Sequence, residues 1–177
     1  AAKAVQALSD ADVQKLHAAG VKSIDVIGDS VVISADVANS LIEAGIAFAA
    51  EDTVVLDAES TEIEIDGNGF GATSKGAALG ALGVDSVVID ADLFATGEGY
   101  ALTQSFIEGI SSEYDSGAVA LDAEGTEDIG ALVGKAQGLG IGVLNIGADQ
   151  VGAAASVADN LASLGFTTLD IDGAASD

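Results

Sequence analysis

One phrase recurs along this chain. Residues 16–30 read LHAAGVKSIDVIGDS, residues 78–92 read ALGALGVDSVVIDAD, and residues 161–173 read LASLGFTTLDIDG. Each is a run of small residues closed by Gly, then an apolar burst, then aspartate. Gly after an amphipathic run is where a helix ends in a left-handed cap. A burst rich in Val and Ile reads as a buried strand. Asp25, Asp57, Asp90, Asp122 and Asp170 fall at or near the strand ends, at intervals of 32, 33, 32 and 48 residues. The last interval holds an extra strand ending at Asn145–Ile146. Recurrence over roughly 20–50 residues marks repeat architectures, in which each unit buries an apolar face against its neighbours.

Local signals fill in the units. Ser9 is placed to cap a first helix with Asp10 and Asp12 in its first turn, where carboxylates suit the helix dipole. Val13 and Leu16 supply its apolar face, and Gly20 ends it. VKSIDVI and SVVIS read as strands joined by a tight turn at Gly28–Asp29, so hairpins are expected at 24–34 and 54–65, unless these strands turn a solenoid corner. Ser34 or Asp36 opens the next helix and Gly45 closes it. ATSKGAALGALG is a further helix. ADLFATGEGYALTQSFIEG reads as a helix interrupted near Gly97 and Gly99. AVALD, IGVLNI and FTTLDID are later strands, separated by two more helices. Strand–helix alternation with runs such as Val-Val-Ile implies a mostly parallel sheet buried on at least one face. The expected class is α/β, a single domain over residues 1–177 built of repeating helix–strand units in a solenoid-like stack. A compact doubly wound domain is the alternative. The absence of a starting Met leads to the expectation that this is a piece of a longer or assembled protein.

Charge excludes several functions. The chain has 29 acidic residues against five lysines and no arginine, a net charge of −24. Phosphate backbones need Lys or Arg to displace counterions, so nucleic acid is not an expected partner. The same charge attracts cations and destabilises the chain in isolation by self-repulsion, so salt or divalent ions are expected to help. No Cys is present, which removes disulfides and thiolate metal sites. No apolar run approaches the length of a membrane span, so no membrane insertion is expected.

The recurrent aspartates are the main candidate site. Adjacent parallel strands lie about 4.8 Å apart, so aspartates in register would form a ladder of like charges. Such a ladder must be neutralised or bridged, and calcium accepts several carboxylate oxygens. Turn and cap roles are the competing explanation, with Asp36, Asp92 and Asp149 fitting caps best. EIDGNGFGATSKG at 64–76 adds Glu64, Asp66 and Asn68, which resemble the front of a calcium loop. Lys75 stands where the closing Glu of such a loop would be. The same glycines suit a tight turn, or a phosphate cradle leading into a helix. The metal candidates are therefore Asp25, Asp57, Glu64, Asp66, Asn68, Asp90, Asp122 and Asp170, with calcium the expected ion. His17, the lone histidine, reads as a surface or half-buried residue, and no catalytic triad is suggested. Among so many carboxylates no pair stands out for glycoside hydrolysis. Tyr100, Phe106 and Tyr114 read as core filling around an irregular segment, with a local binding surface as the functional alternative.

AAGVKSIDVIGDSVVIS at 18–34, continued by SADVANSLIEAGI at 34–46, resembles repeats of very large secreted surface proteins of alphaproteobacteria, of the RTX and adhesin kind exported by type I secretion. LGVDSVVID and LGFTTLDID match in outline. The resemblance covers about a third of the chain. It implies an extracellular or cell-surface, calcium-tolerant, structural or adhesive role. The calcium nonapeptide G-G-x-G-x-D of RTX rolls is absent, so the resemblance assigns no calcium ligand to any residue here. The expectation is a non-enzymatic structural or adhesive module that associates with itself in a layer or filament and is stabilised by calcium. The alternative is a ligand-binding or hydrolytic enzyme on a doubly wound sheet, with its site beyond the strand ends near Asp57, Asp66, Asp90 and Asp122. High-salt adaptation is a third explanation of the acidity. Stability in KCl compared with CaCl2 at matched ionic strength separates it from specific ion binding.

Overall fold

In the computed structural model the described residues are 8–27, 30–59, 62–63 and 68–172. The fold is α/β, with a mostly parallel six-stranded sheet flanked by helices. The chain forms two compact units, Ala1–Val87 and Val88–Asp177, with the boundary inside one strand.

The first unit runs α1 (Asp10–Ala18), β1 (Ser23–Ile24), β2 (Ser30–Ser34), α2 (Ala35–Ala44), β3 (Ala47–Phe48), β4 (Thr53–Ala58) and α3 (Lys75–Leu82) into β5 (Ser86–Asp90). Ser9, Ser34 and Ser74 cap α1, α2 and α3, each accepting a backbone N–H three residues on. Ser34, not Asp36, is the cap; Asp36 sits in the first turn, where its charge still suits the dipole. The Ser9 hydroxyl also donates to the Asp12 carboxylate at 2.7 Å, and Lys15 lies at 3.0 Å. Together they lower the Asp12 pKa to about 2.

Neither expected hairpin forms among the described residues. β1 pairs parallel with β3, and β2 pairs parallel with β4. The chain leaves one sheet after Ile24 and enters another at Ser30, so β1 and β2 are not partners. Two parallel pairings take the place of the hairpin expected at 24–34. Their cause is the alternating burial of Ser30–Ser34, in which Val31 and Ile33 must join Val54 and Leu56 beneath α2. Most of the second expected hairpin strand lies outside the described residues. Leu41, Ile42, Leu79 and Leu82 complete this core, each fully buried and contributing about 1.5–3 kcal/mol relative to exposure. On the opposite face Ser30, Val32 and Ser34 are exposed.

The second unit continues with a 3₁₀ turn (Ala91–Phe94), α4 (Gly97–Ile110), β6 (Val119–Asp122), α5 (Ile129–Ala136), β7 (Val143–Gly147), α6 (Val151–Leu161) and β8 (Thr168–Asp172). The expected break near Gly97 and Gly99 falls before them. Thr96 caps α4, its hydroxyl accepting from Gly99 N at 3.0 Å, so both glycines lie in the first turn. β6, β7 and β8 pair in parallel, with Leu121, Leu144 and Leu169 in one row. Phe106, Ile107, Ile110, Ile129 and Val133 are buried with that row's inner members.

Thr103 on α4 is fully buried, and its hydroxyl has no hydrogen-bond partner among the described residues. Thr103→Val keeps the branched shape and removes the uncompensated polar atom. It is expected to raise stability by about 1 kcal/mol in urea denaturation, and a loss of stability would contradict this account.

The strand order is β2-β4-β5-β6-β7-β8. It never reverses along the chain. In open α/β sheets it is the reversal point that opens a ligand crevice. No helix of the described residues is long and apolar enough to cross a membrane.

Candidate functional site

The strand-end aspartates separate into distinct settings. Asp25 is exposed just past β1. Asp57 is half-buried on β4, in register with Ser34. Asp90 caps the 3₁₀ turn after β5, accepting from Asp92 N at 2.7 Å. Asp92, expected as a cap, is the donor to that cap, and Asp149 likewise sits in a first turn without capping it. Asp122 accepts from Glu124 N at 2.9 Å, and Asp170 accepts from the adjacent Ile171 N at 2.9 Å. Glu64 and Asp66 lie outside the described residues. Asn68 closes a loop, with Oδ1 accepting from Ala72 N at 2.9 Å.

A ladder does exist in the second unit, but its middle rung is neutral. Asp122 is in register with Asn145, and Asn145 with Asp170. The two carboxylates therefore stand two strand spacings apart, about 9.6 Å. Asn145 removes the like-charge contact that would have required a bridging cation. Among the described residues no group of three His, Asp or Glu side chains is placed to hold a metal ion.

The glycine-rich segment is a packing device where it is described. Gly69 N donates to Ile42 O at 2.8 Å, so that amide is not available to a phosphate. A Cβ on Gly69 would stand 2.5 Å from Gly45 N, and Gly45 is the left-handed residue that ends α2, at φ 63°. Only glycine permits this approach of two backbones.

Two adjoining cavities lie past the strand ends of the second unit. A cavity of about 500 Å³ there is lined by Asp90, Asp92, Glu124, Asp128, Leu132 and Lys135. Beside it a second cavity of about 510 Å³ is lined by Phe94, Thr96, Gly97, Tyr100, Lys135 and Gln137. The Phe94 and Tyr100 rings meet edge to face, with centroids 6.0 Å apart. Phe106 and Tyr114 are buried, as core filling requires, whereas Tyr100 is half-buried at this cavity. Lys135, the only basic residue in 88–177, donates from Nζ to Phe94 O at 3.0 Å. In the first unit a third cavity of about 500 Å³ is lined by Asp10, Asp36, Asn39, Glu43 and Asn68, with Ser40 donating to Asp10 across its wall. His17 is exposed on α1.

Two polar side chains that the sequence did not flag organise these regions. Asp52, buried, accepts from Val26 N and Ala49 N. Gln150, also buried, bridges Gly147, Ala123 and Thr126. Neither carries a local motif, because their partners on other segments lie 24 or more residues away in sequence. No protein-family model, curated protein or solved structure matches this chain.

Proposed function

We propose that this chain is a non-enzymatic structural module that joins copies of itself edge to edge, in a layer or filament of a secreted bacterial surface protein. The observation that carries this reading is the strand order, which runs in sequence from β2 to β8 and leaves both as edge strands among the described residues. Edge strands present unpaired backbone groups that template pairing, and proteins that stay monomeric protect them with charge, Pro or bulges. β2 reads SVVIS, with no charge and no Pro, so it is the unprotected edge, whereas β8 reads TLDID and carries Asp170 and Asp172, whose charge must be screened before the two edges meet. Exposed large apolar residues mark both edges, Val32 at 37% and Leu169 at 40% exposure.

A parallel joint that aligns Asp170 of one copy with Ser34 of the next extends both rows. The apolar row Leu121–Leu144–Leu169 runs on into Ile33–Leu56, and the polar row runs on into Ser34–Asp57. The net charge of −24 opposes contact between copies until ions screen it, so divalent cations, calcium foremost, promote assembly.

Light scattering and negative-stain electron microscopy test this, in CaCl2 and in KCl at matched ionic strength. The expected result is a size that grows with protein and calcium concentration. Val32→Lys and Leu169→Lys should each return the chain to a monomer with an unchanged circular dichroism spectrum. A strict monomer under every ion condition would sink the proposal.

A further inference from the structure

We propose that the cavity between the first turn of α4 and the end of α5 binds a small organic monoanion, an aryl or branched aliphatic carboxylate. Its size, about 510 Å³, is that of a small-molecule site. Such sites combine apolar walls with a few placed polar groups, and this one has both. Phe94 and Tyr100 form the apolar wall. Phe94 is buried and held edge to face against Tyr100, at 69° between ring planes. The half-buried Tyr100 ring is thereby fixed as a surface for an apolar group.

The polar element is Lys135. Its ammonium is tethered by one hydrogen bond to Phe94 O, which leaves two of its three N–H donors for a ligand. Among the described residues no carboxylate lies within 4.0 Å of it. Lys22 and Lys75 likewise make no ion pair among the described residues; what sets Lys135 apart is that its ammonium is held by Phe94 O beside an aromatic wall. No Asp or Glu lines this cavity, whereas Asp90, Asp92, Glu124 and Asp128 line the adjoining one. That neighbouring charge selects against multivalent anions such as phosphate and penalises a single carboxylate far less. The positive end of the α4 dipole lies on the same wall, where Glu98 in the first turn offsets it, so Lys135 is the charge that favours an anion.

The test uses the whole chain and three probes: 3-phenylpropionate, its primary amide and inorganic phosphate. Binding is followed by calorimetry and by tyrosine fluorescence. 3-Phenylpropionate is expected to bind saturably, at least tenfold more tightly than the amide and than phosphate. Lys135→Met should weaken 3-phenylpropionate at least tenfold and leave the amide unchanged. Lys135 is exposed, so this variant keeps the fold, which circular dichroism checks. Should it not fold, the comparison of acid with amide on the parent chain still decides. Equal binding of acid and amide, tighter binding of phosphate, or no saturable binding of the acid overturns the proposal.

Discussion

Gln150→Met is expected to lower the stability of the second unit by about 3 kcal/mol, read from urea denaturation. The side chain is 8% exposed and makes three hydrogen bonds. Its Oε1 accepts from Gly147 N at 2.8 Å, and its Nε2 donates to Ala123 O at 2.9 Å and Thr126 O at 2.8 Å. Each such bond contributes about 1 kcal/mol net, and leaving its buried partner unsatisfied costs more. Methionine keeps the volume, so little of the loss is cavity. Gln150→Glu is the sharper control. It keeps an acceptor for Gly147 but turns a carboxylate oxygen toward the carbonyls of Ala123 and Thr126, so it should destabilise at least as much. These bonds tie the segment after β6 to the end of β7, beside the acidic cavity. Amide exchange at Gly147 should accelerate in both variants. A change below about 0.5 kcal/mol in either would show that water replaces the amide without loss.

Asp52→Ala is expected to cost about 2–4 kcal/mol, from the loss of charge-assisted bonds to two backbone amides. Both carboxylate oxygens approach Val26 N, at 3.1 and 3.2 Å, and one also accepts from Ala49 N at 3.2 Å. Asp52 is buried, so neither amide gains water freely when the carboxylate is removed. The contact fastens the end of β1 to the turn between β3 and β4, and β1 and β3 are two residues each. So short a ladder does not hold itself, and Asp52 supplies what it lacks. Asp52→Asn keeps one acceptor and should lose about half as much. Hydrogen exchange at Val26 checks the assignment, because Val26 N loses its carboxylate acceptor while Ala49 N keeps its 2.8 Å bond to Ile24 O. Protection unchanged in Asp52→Ala would refute it.

These two residues show where sequence reading stops. The helix caps were legible because a cap is local. Ser9 and Ser34 meet amides three residues away, and Gly45 closes its helix within one turn, although Asp36, Asp92 and Asp149, also expected as caps, sit inside first turns instead. The aspartate periodicity was legible as well, as position along the chain. Its consequence was not, since a ladder depends on which strands are neighbours. The fifth helix–strand unit contributes Asn145 where the others contribute aspartate, and register sets that asparagine between Asp122 and Asp170.

The hairpin expected at 24–34 failed for the same reason. A turn signal at Gly28–Asp29 records that the chain bends. It does not record whether the next strand returns along the first. Ser23 finds its partner at Ala47 and Ser30 finds its partner at Thr53, and only the burial of Val31 and Ile33 beneath α2 selects those pairings.

By itself, the sequence determined the α/β class, the alternation of helices with parallel strands, and the positions of caps and stops. Those properties follow from backbone chemistry within a few residues and from apolar periodicity. Tertiary structure alone decided that Lys135 stands beside Phe94, that Asp52 and Gln150 are interior anchors, and that β2 and β8 are edges among the described residues. The physical reason is that hydrogen-bond partners, charge spacing and burial are set by segments 20 or more residues apart, whose meeting no local pattern encodes.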